Sequence, residues 1–202
     1  MARGRPRAFD KDKALETAMQ LFWRHGYEGT SVSMLCDAIG INVPSLYSAF
    51  GNKETLFQHT LELYIAQHAN YIHRALAAPT AREVAEQLLH GAINMVDDPH
   101  NPDGCMIVHG ALVATPMSDS VRNELVNKRK MAESAICKRF EDAKTSGDLP
   151  QSADAEKLAR FIITINWGNA VQSASGSSPA QLETVANIAL QCWDNIVTAT
   201  SS

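Results

Sequence analysis

The chain has 202 residues and carries 18 Lys and Arg against 22 Asp and Glu, a formal net charge of -4 with neutral histidines. Hydrophobic residues make up 45% and charged residues 20%, ordinary globular values that exclude an intrinsically disordered chain. Nothing in this balance advertises a polyanion partner, and composition alone would place the chain among soluble enzymes. One or two domains are expected at this length. The N-terminal Met1-Ala-Arg-Gly-Arg-Pro-Arg7 is basic with no apolar segment behind it, so a signal peptide is not expected. No run of about 18 apolar residues occurs, so neither a membrane-spanning helix nor a membrane partner is expected. Cys36, Cys105, Cys137 and Cys192 are far apart and form no Cys-x-x-Cys pair, which fits a reducing cytoplasm and no zinc knuckle.

In chain order, the pattern predicts a helix from Phe9 to His25 stopped by Gly26, then Val32 to Ile39 capped by Ser31, then a very short helix from about Val43 to Phe50. The tight connection Gly40-Ile41-Asn42 between the last two fits a helix-turn-helix. Asn52 caps a long helix expected to run from Lys53 to about Ala78, with Phe57, Leu61, Tyr64, Ile65, His68 and Ile72 on one stripe. Pro79 and the capping box Thr80-Ala-Arg-Glu83 open the next, to about Asp97. Residues 98–104, rich in Pro, Gly, Asn and Asp, read as a loop. A short apolar helix follows from Cys105 to Ala114, then long helices from about Ser118 to Thr145 and Ala153 to Ala174. In the last segment Ser178, Pro179 and Gln181 write out a helix start. Leu182, Val185, Ala186, Ala189, Leu190, Trp193, Ile196 and Val197 recur at spacings of three and four. No strand or internal repeat is evident, and the fold class is all-α with about nine helices.

Function-bearing signal concentrates in the first sixty residues. The runs Ala18-Met-Gln-Leu-Phe22, Gly26-Tyr-Glu-Gly-Thr-Ser31, Leu35-Cys-Asp-Ala-Ile-Gly-Ile41 and Ser45-Leu-Tyr-Ser-Ala-Phe-Gly-Asn-Lys-Glu-Thr-Leu-Phe57 together resemble the tetracycline-repressor family of bacterial transcription regulators over residues 8 to 57. The resemblance implies a helix-turn-helix DNA-binding domain over residues 1–52 and a helical regulatory domain over 53–202. The latter would bind a small-molecule inducer of unknown identity and form a homodimer on double-stranded operator DNA. No cofactor, metal or enzymatic activity is implied, and no Gly-rich phosphate loop, His-Glu-x-x-His or Gly-x-Ser-x-Gly occurs.

A helix of about two turns can enter the major groove, which makes Asn42, Val43, Pro44, Ser45 and Ser48 candidate base readers. Val43-Pro44 departs from the family, where a basic or small residue followed by glycine is common. By resemblance Thr30, Ser31, Tyr47 and Lys53 clamp phosphates. The alternative for Ser31 is that it only caps its helix, and for Tyr47 that it only packs. Arg3, Arg5 and Arg7 form a basic arm that can enter a minor groove, the other reading being a solubilising tail. Leu21, Phe22, Leu35, Ile39, Leu46 and Phe50 are expected in the small domain's core.

Charge is segregated: the first sixty residues hold seven Lys and Arg against six acids, the remainder eleven against sixteen. An inducer pocket is expected among the middle helices, from Met95, Cys105, Met106, His109, Met117, Met131, Phe140, Ile163, Asn166 and Trp167; simple core filling is the alternative for each methionine. Ile165, Asn169, Leu182, Val185, Ala189, Trp193 and Ile196 on the last two helices are the candidate dimer interface. Cys105 and His109, four apart on one helix, with His100 and Asp103 before them, leave open a metal- or redox-responsive regulator. A helical protein-binding adaptor is a further alternative.

Overall fold

The computed structural model describes residues 9–112 and 118–199. Among them are ten helices and no strand: α1 (Lys11–Gly29), α2 (Val32–Ile39), α3 (Val43–Phe50), α4 (Lys53–Gln67), α5 (Asn70–Leu76), α6 (Ala81–Asp97), α7 (Met106–Leu112), α8 (Asp119–Ser146), α9 (Ala155–Ala174) and α10 (Pro179–Ala199). None is long and apolar enough to cross a membrane.

Local chemistry sets most of the boundaries. Asp10 caps α1, accepting from the amides of Asp12 and Lys13 at 3.0 and 3.2 Å. Gly26 takes a left-handed φ of 69° that a side chain rarely adopts, so the helix breaks there, as its sequence implies, and continues as a short turn to Gly29. Ser31, Asn42 and Asn52 each accept an amide three residues on, at 3.1, 2.9 and 2.8 Å, and so start α2, α3 and α4. Thr80 and Glu83 form the reciprocal capping box of α6. At α10 the Ser178 amide donates to Gln181 Oε1 at 2.8 Å.

The single helix expected over 53–78 is instead two, which accounts for ten helices rather than about nine. No Gly or Pro lies near the break. His68 N and Ala69 N both donate to Tyr64 O, and Ala69 has a ψ of 4°, which ends helical propagation. Tertiary packing imposes this: the His68 ring lies 4.8 Å from that of Trp23 in α1 and 5.7 Å from that of Tyr64.

Two cores organise the chain. The first gathers Phe22 and Trp23 of α1, Leu35 of α2, Leu46 and Phe50 of α3, and Leu56, Phe57, Leu61 and Tyr64 of α4; it also takes in Met106, Val121 and Leu125 from α7 and α8. The second is built by α5, α6, α8, α9 and α10 around Leu88, Ile136, Phe140, Ile162, Leu190 and Trp193. Phe140 and Trp193 face each other there, centroids 5.0 Å apart. α4 therefore belongs to the head by packing and abuts the body through its C-terminal turn. Because Trp193 is nearly fully enclosed, Trp193→Ala should cost about 3–5 kcal/mol of stability, read as a shift of the urea unfolding midpoint.

Candidate nucleic-acid interface and regulatory chamber

α3 has two faces. Leu46 and Phe50 point into the first core, whereas Val43, Pro44, Tyr47 and Ser48, which repeat at i and i+4, are exposed on the other side, Tyr47 at 44%. Asn42 stands exposed at the helix start, its Oδ1 engaged by the Ser45 amide at 2.9 Å. Ser45 is half-buried. The apolar Val43 and Tyr47 thus leave a large part of their surface open to solvent.

The expected phosphate clamps divide. Ser31 is exposed and caps α2. Lys53 is half-buried at the start of α4, its Nζ 4.2 Å from the Tyr27 ring centroid; burial lowers its pKa, opposed by Glu28. Thr30 does not face solvent: it is 0% exposed, and its hydroxyl donates to Gly26 O at 2.7 Å and Leu21 O at 3.3 Å. It locks the break in α1 instead, because the kink frees carbonyls that need a donor. Arg3, Arg5 and Arg7 lie outside the described residues.

A buried chamber of about 50 Å³ lies where α4–α5, α6, α7, α8 and α9 meet. It gathers Met95, Cys105, Ile163, Asn166 and Trp167 of the expected set, and adds Tyr64, Tyr71, Lys128 and Arg129, which sequence reasoning did not single out. Sharing the residues Ala69, Ile72, Ile107, Lys128 and Ala132 with it, an apolar groove of about 490 Å³ runs outward between α4–α5 and α8, past Leu76 and Met131. Met131, 65% exposed, therefore lines the groove and not the chamber. Met106 is buried in the first core, Phe140 is spent on Trp193, and His109 directs Nδ1 at Trp23 O, 3.4 Å away. None of these three lines the chamber, and Met117 lies outside the described residues.

The chamber's polar groups are sparsely partnered. Asn166, 3% exposed, donates Nδ2 to Leu88 O at 3.2 Å while its Oδ1 has no partner. Arg129 donates one N–H to Ile107 O at 2.8 Å, and burial lowers its pKa. Tyr64 OH is placed to donate to Cys105 Sγ at 3.2 Å; burial raises the phenol pKa of both Tyr64 and Tyr71. Tyr71 stays in the wall because residue 91 is glycine: a Cβ there would meet the Tyr71 ring at 2.6 Å. Cys105 turns to Tyr64 and His109 to the head, so the pair is not brought onto one metal. No group of three His, Cys, Asp or Glu suited to a metal occurs among the described residues.

Among the chamber's walls, Tyr64 reaches the aromatic centre of the head. Tyr64, fully buried, packs edge-on to Trp23 with centroids 4.7 Å apart, and Trp23 Nε1 donates to Gly104 O, next to Cys105, at 3.3 Å.

On α9 and α10 the expected interface also divides. Leu182, Ala189, Trp193 and Asn169 are enclosed by the chain's own second core or its margin, and Asn169 Nδ2 is unpartnered. Val185 and Ile196 are exposed, together with Ile188 at 55%, which sequence reasoning passed over; Ile165 is half-buried. Val185, Ile188 and Ile196 fall at spacings of three and eight, along one side of α10.

Comparison with known proteins fits this geometry. Residues 14–60 match the family model "Bacterial regulatory proteins, tetR family", and residues 81–189 match "Tetracyclin repressor-like, C-terminal domain". The chain is 33% identical over 199 residues to the HTH-type transcriptional repressor ComR of Escherichia coli, covering 97% of this chain and 94% of that one. It is 31% identical over 182 residues to the HTH-type transcriptional repressor BdcR of the same organism, covering 89% and 86%. A solved structure of a cysteine-substituted TetR family transcriptional regulator, CifR, complexed with 26-base-pair double-strand operator DNA, superposes with a TM-score of 0.88 at 40% identity, covering 94% of this chain and 100% of that chain.

Since the Thr30 hydroxyl closes a buried turn, Thr30→Val should cost about 1–2 kcal/mol in urea unfolding. An unchanged stability would return this side chain to the surface.

Proposed function

Because the chain belongs to the tetracycline-repressor family, we propose that it is a dimeric transcriptional repressor that holds operator DNA through α2 and α3 and lets go when a small molecule enters the chamber. Residues 1–52, with α4 packed onto them, form the DNA-binding part in this reading, and the helices beyond α4 form the regulatory part. The observation that carries it is the outward face of α3. At eight residues, about 12 Å long, this helix matches a major groove about 12 Å wide. Val43 and Pro44 offer apolar contact to thymine methyls, and Asn42, Ser45 and Ser48 offer hydrogen bonds. Ser31, Tyr47 and Lys53 reach phosphates, which position the protein without reading sequence. Arg3, Arg5 and Arg7 extend that contact into a minor groove.

Two copies on one duplex explain why so modest a charge suffices, since two-fold pairing doubles every contact and fixes half-site spacing. The outer side of α10, with Val185, Ile188 and Ile196, and Ile165 on α9 supply the self-association surface. Release follows from differential binding: a ligand that fits a widened chamber favours that state over the operator-bound one. At about 50 Å³ the chamber is well below the roughly 300 Å³ or more of typical ligand sites, so occupancy must move its walls. Tyr64 is the wall that touches the head. Sensing by a metal or redox couple at Cys105 and His109 is not favoured, because the two side chains serve different neighbours.

Tyr47→Ala and Lys53→Ala should each weaken operator binding in a gel shift by about tenfold while Tyr47→Ala leaves stability within about 0.5 kcal/mol; tight binding by both variants would remove them from the interface. Deleting residues 2–7 should flatten the dependence of affinity on salt, as expected when arginine–phosphate contacts are lost. The double substitution Val185→Glu, Ile188→Glu should give a folded monomer by sedimentation that no longer shifts operator DNA. A dimer that persists would place the interface elsewhere.

A further inference from the structure

Three features of the chamber are unexplained by packing alone. Arg129 is a cation in a wall that contains no Asp or Glu, and among the described residues no carboxylate lies within ion-pair distance of it. It contrasts with its neighbour Lys128, which is neutralised by Glu124 at 3.2 Å. Of the five N–H groups of a guanidinium, among the described residues one is donated, to Ile107 O. Across the same chamber, Asn166 Oδ1 is a buried acceptor without a donor, a vacancy that ordinarily costs about 1–3 kcal/mol. The chamber is too small for a whole ligand, yet it abuts the apolar groove past Leu76 and Met131 that is nearly ten times larger.

From these we infer that the ligand is a small amphipathic organic acid, its carboxylate held by the Arg129 fork, a hydroxyl beside it donating to Asn166 Oδ1, and its apolar body lying in the groove toward Met131. Each half of the site supplies what the other lacks. A forked guanidinium suits the two oxygens of a carboxylate, and charge-assisted bonds are strongest where water is excluded. A neutral ligand of the same shape would leave the cation unpaired, and an acid without a hydroxyl would leave Asn166 unpaired. An amine would meet Arg129 as a like charge. Arg129 is half-buried, so the side of its guanidinium that faces the chamber competes less with solvent, and burial lowers its pKa. The Arg129–Ile107 bond also ties the anion site to α7, the helix that follows Cys105 and Gly104.

This rests on the reading of the chamber as the regulatory site, and the two are separable by experiment. The full-length protein is titrated by calorimetry with 2-hydroxyoctanoate, octanoate, 1,2-octanediol and 1-octanol, and with 3-phenyllactate and 3-phenylpropionate as aryl counterparts. Operator release is followed in parallel. The expected order is hydroxy acid over acid over either alcohol, with the hydroxy acid at least about tenfold tighter than the diol. Arg129→Gln should remove that acid preference and leave alcohol binding unchanged, Arg129→Lys should restore part of it, and Asn166→Leu should abolish the advantage of the hydroxyl while sparing the acid. Should a variant fail to fold, the order of the probes on the unmodified protein decides alone. Acids that bind without releasing operator would keep the anion site and overturn the regulatory reading. Alcohols that bind and release operator as well as acids do, or no binding by any probe at millimolar concentration, would overturn the anion site.

Discussion

The structure hangs on the contact between Trp23 and Tyr64. Trp23 is the largest of the fully buried side chains of α1, Tyr64 the last aromatic of α4 before its break, and both are fully enclosed. Their edge-on packing joins the two units alongside Met106, Val121 and Leu125, which α7 and α8 send into the first core, and the indole N–H also holds Gly104 at the start of the α7 region. Aromatic pairs of this kind add about 0.5–1.5 kcal/mol beyond the area they bury, so the joint is firm without being rigid. Any expansion of the chamber must push on Tyr64 or slip past it, and the first of these reaches the helix-turn-helix directly.

Much of the fold was legible because helix ends are written in local chemistry. Ser31, Asn52 and Thr80 cap in the structure as their sequence context implies, Asn42 caps α3 where its sequence context marks it only as a base reader, and the break at Gly26 follows from a residue able to take positive φ. The interruption at His68–Ala69 was not legible, since Ala-Gln-His-Ala-Asn has no breaking residue and the cause is aromatic packing from α1, distant in sequence. The outward side of α3 could be read, because Leu46 and Phe50 fix the inward one. Thr30 could not, because a hydroxyl shows nothing in sequence of whether it turns to a phosphate or to its own backbone.

The chamber shows the same division. Methionines and aromatics mark apolar interior, but periodicity cannot tell a cavity wall from a filled core, so Met95 and Trp167, which line the chamber, were grouped with Phe140 and Met106, which pack elsewhere. Arg129 went unnoticed for the opposite reason: it stands among Arg122, Lys128 and Lys130 on a strongly charged helix, where one inward cation looks like its solvated neighbours. On α10, likewise, an apolar residue count cannot separate Trp193, which completes the chain's own core, from Ile188, which does not. Only the rotation of the helix against α6 and α9 does so.

The break after α4 has a mechanical meaning. Fifteen helical residues make a rod about 22 Å long. Measured along the helix axis from Ala69, two residues past the end of that rod, Tyr64 lies about 7 Å away and Lys53 about 24 Å. A rotation of α4 about that point would multiply a displacement at the tyrosine about threefold at the far end, where α4 meets α3. Half an ångström of swelling in the chamber would become about 1.5 Å at the tip, comparable to the tolerance of a hydrogen bond. Had residues 53–78 formed one continuous helix, its anchorage on α6 would have moved the fulcrum inward and shortened the stroke. The interruption converts a stiff strut into a lever, and its gear ratio is set by where the chain stops being helical.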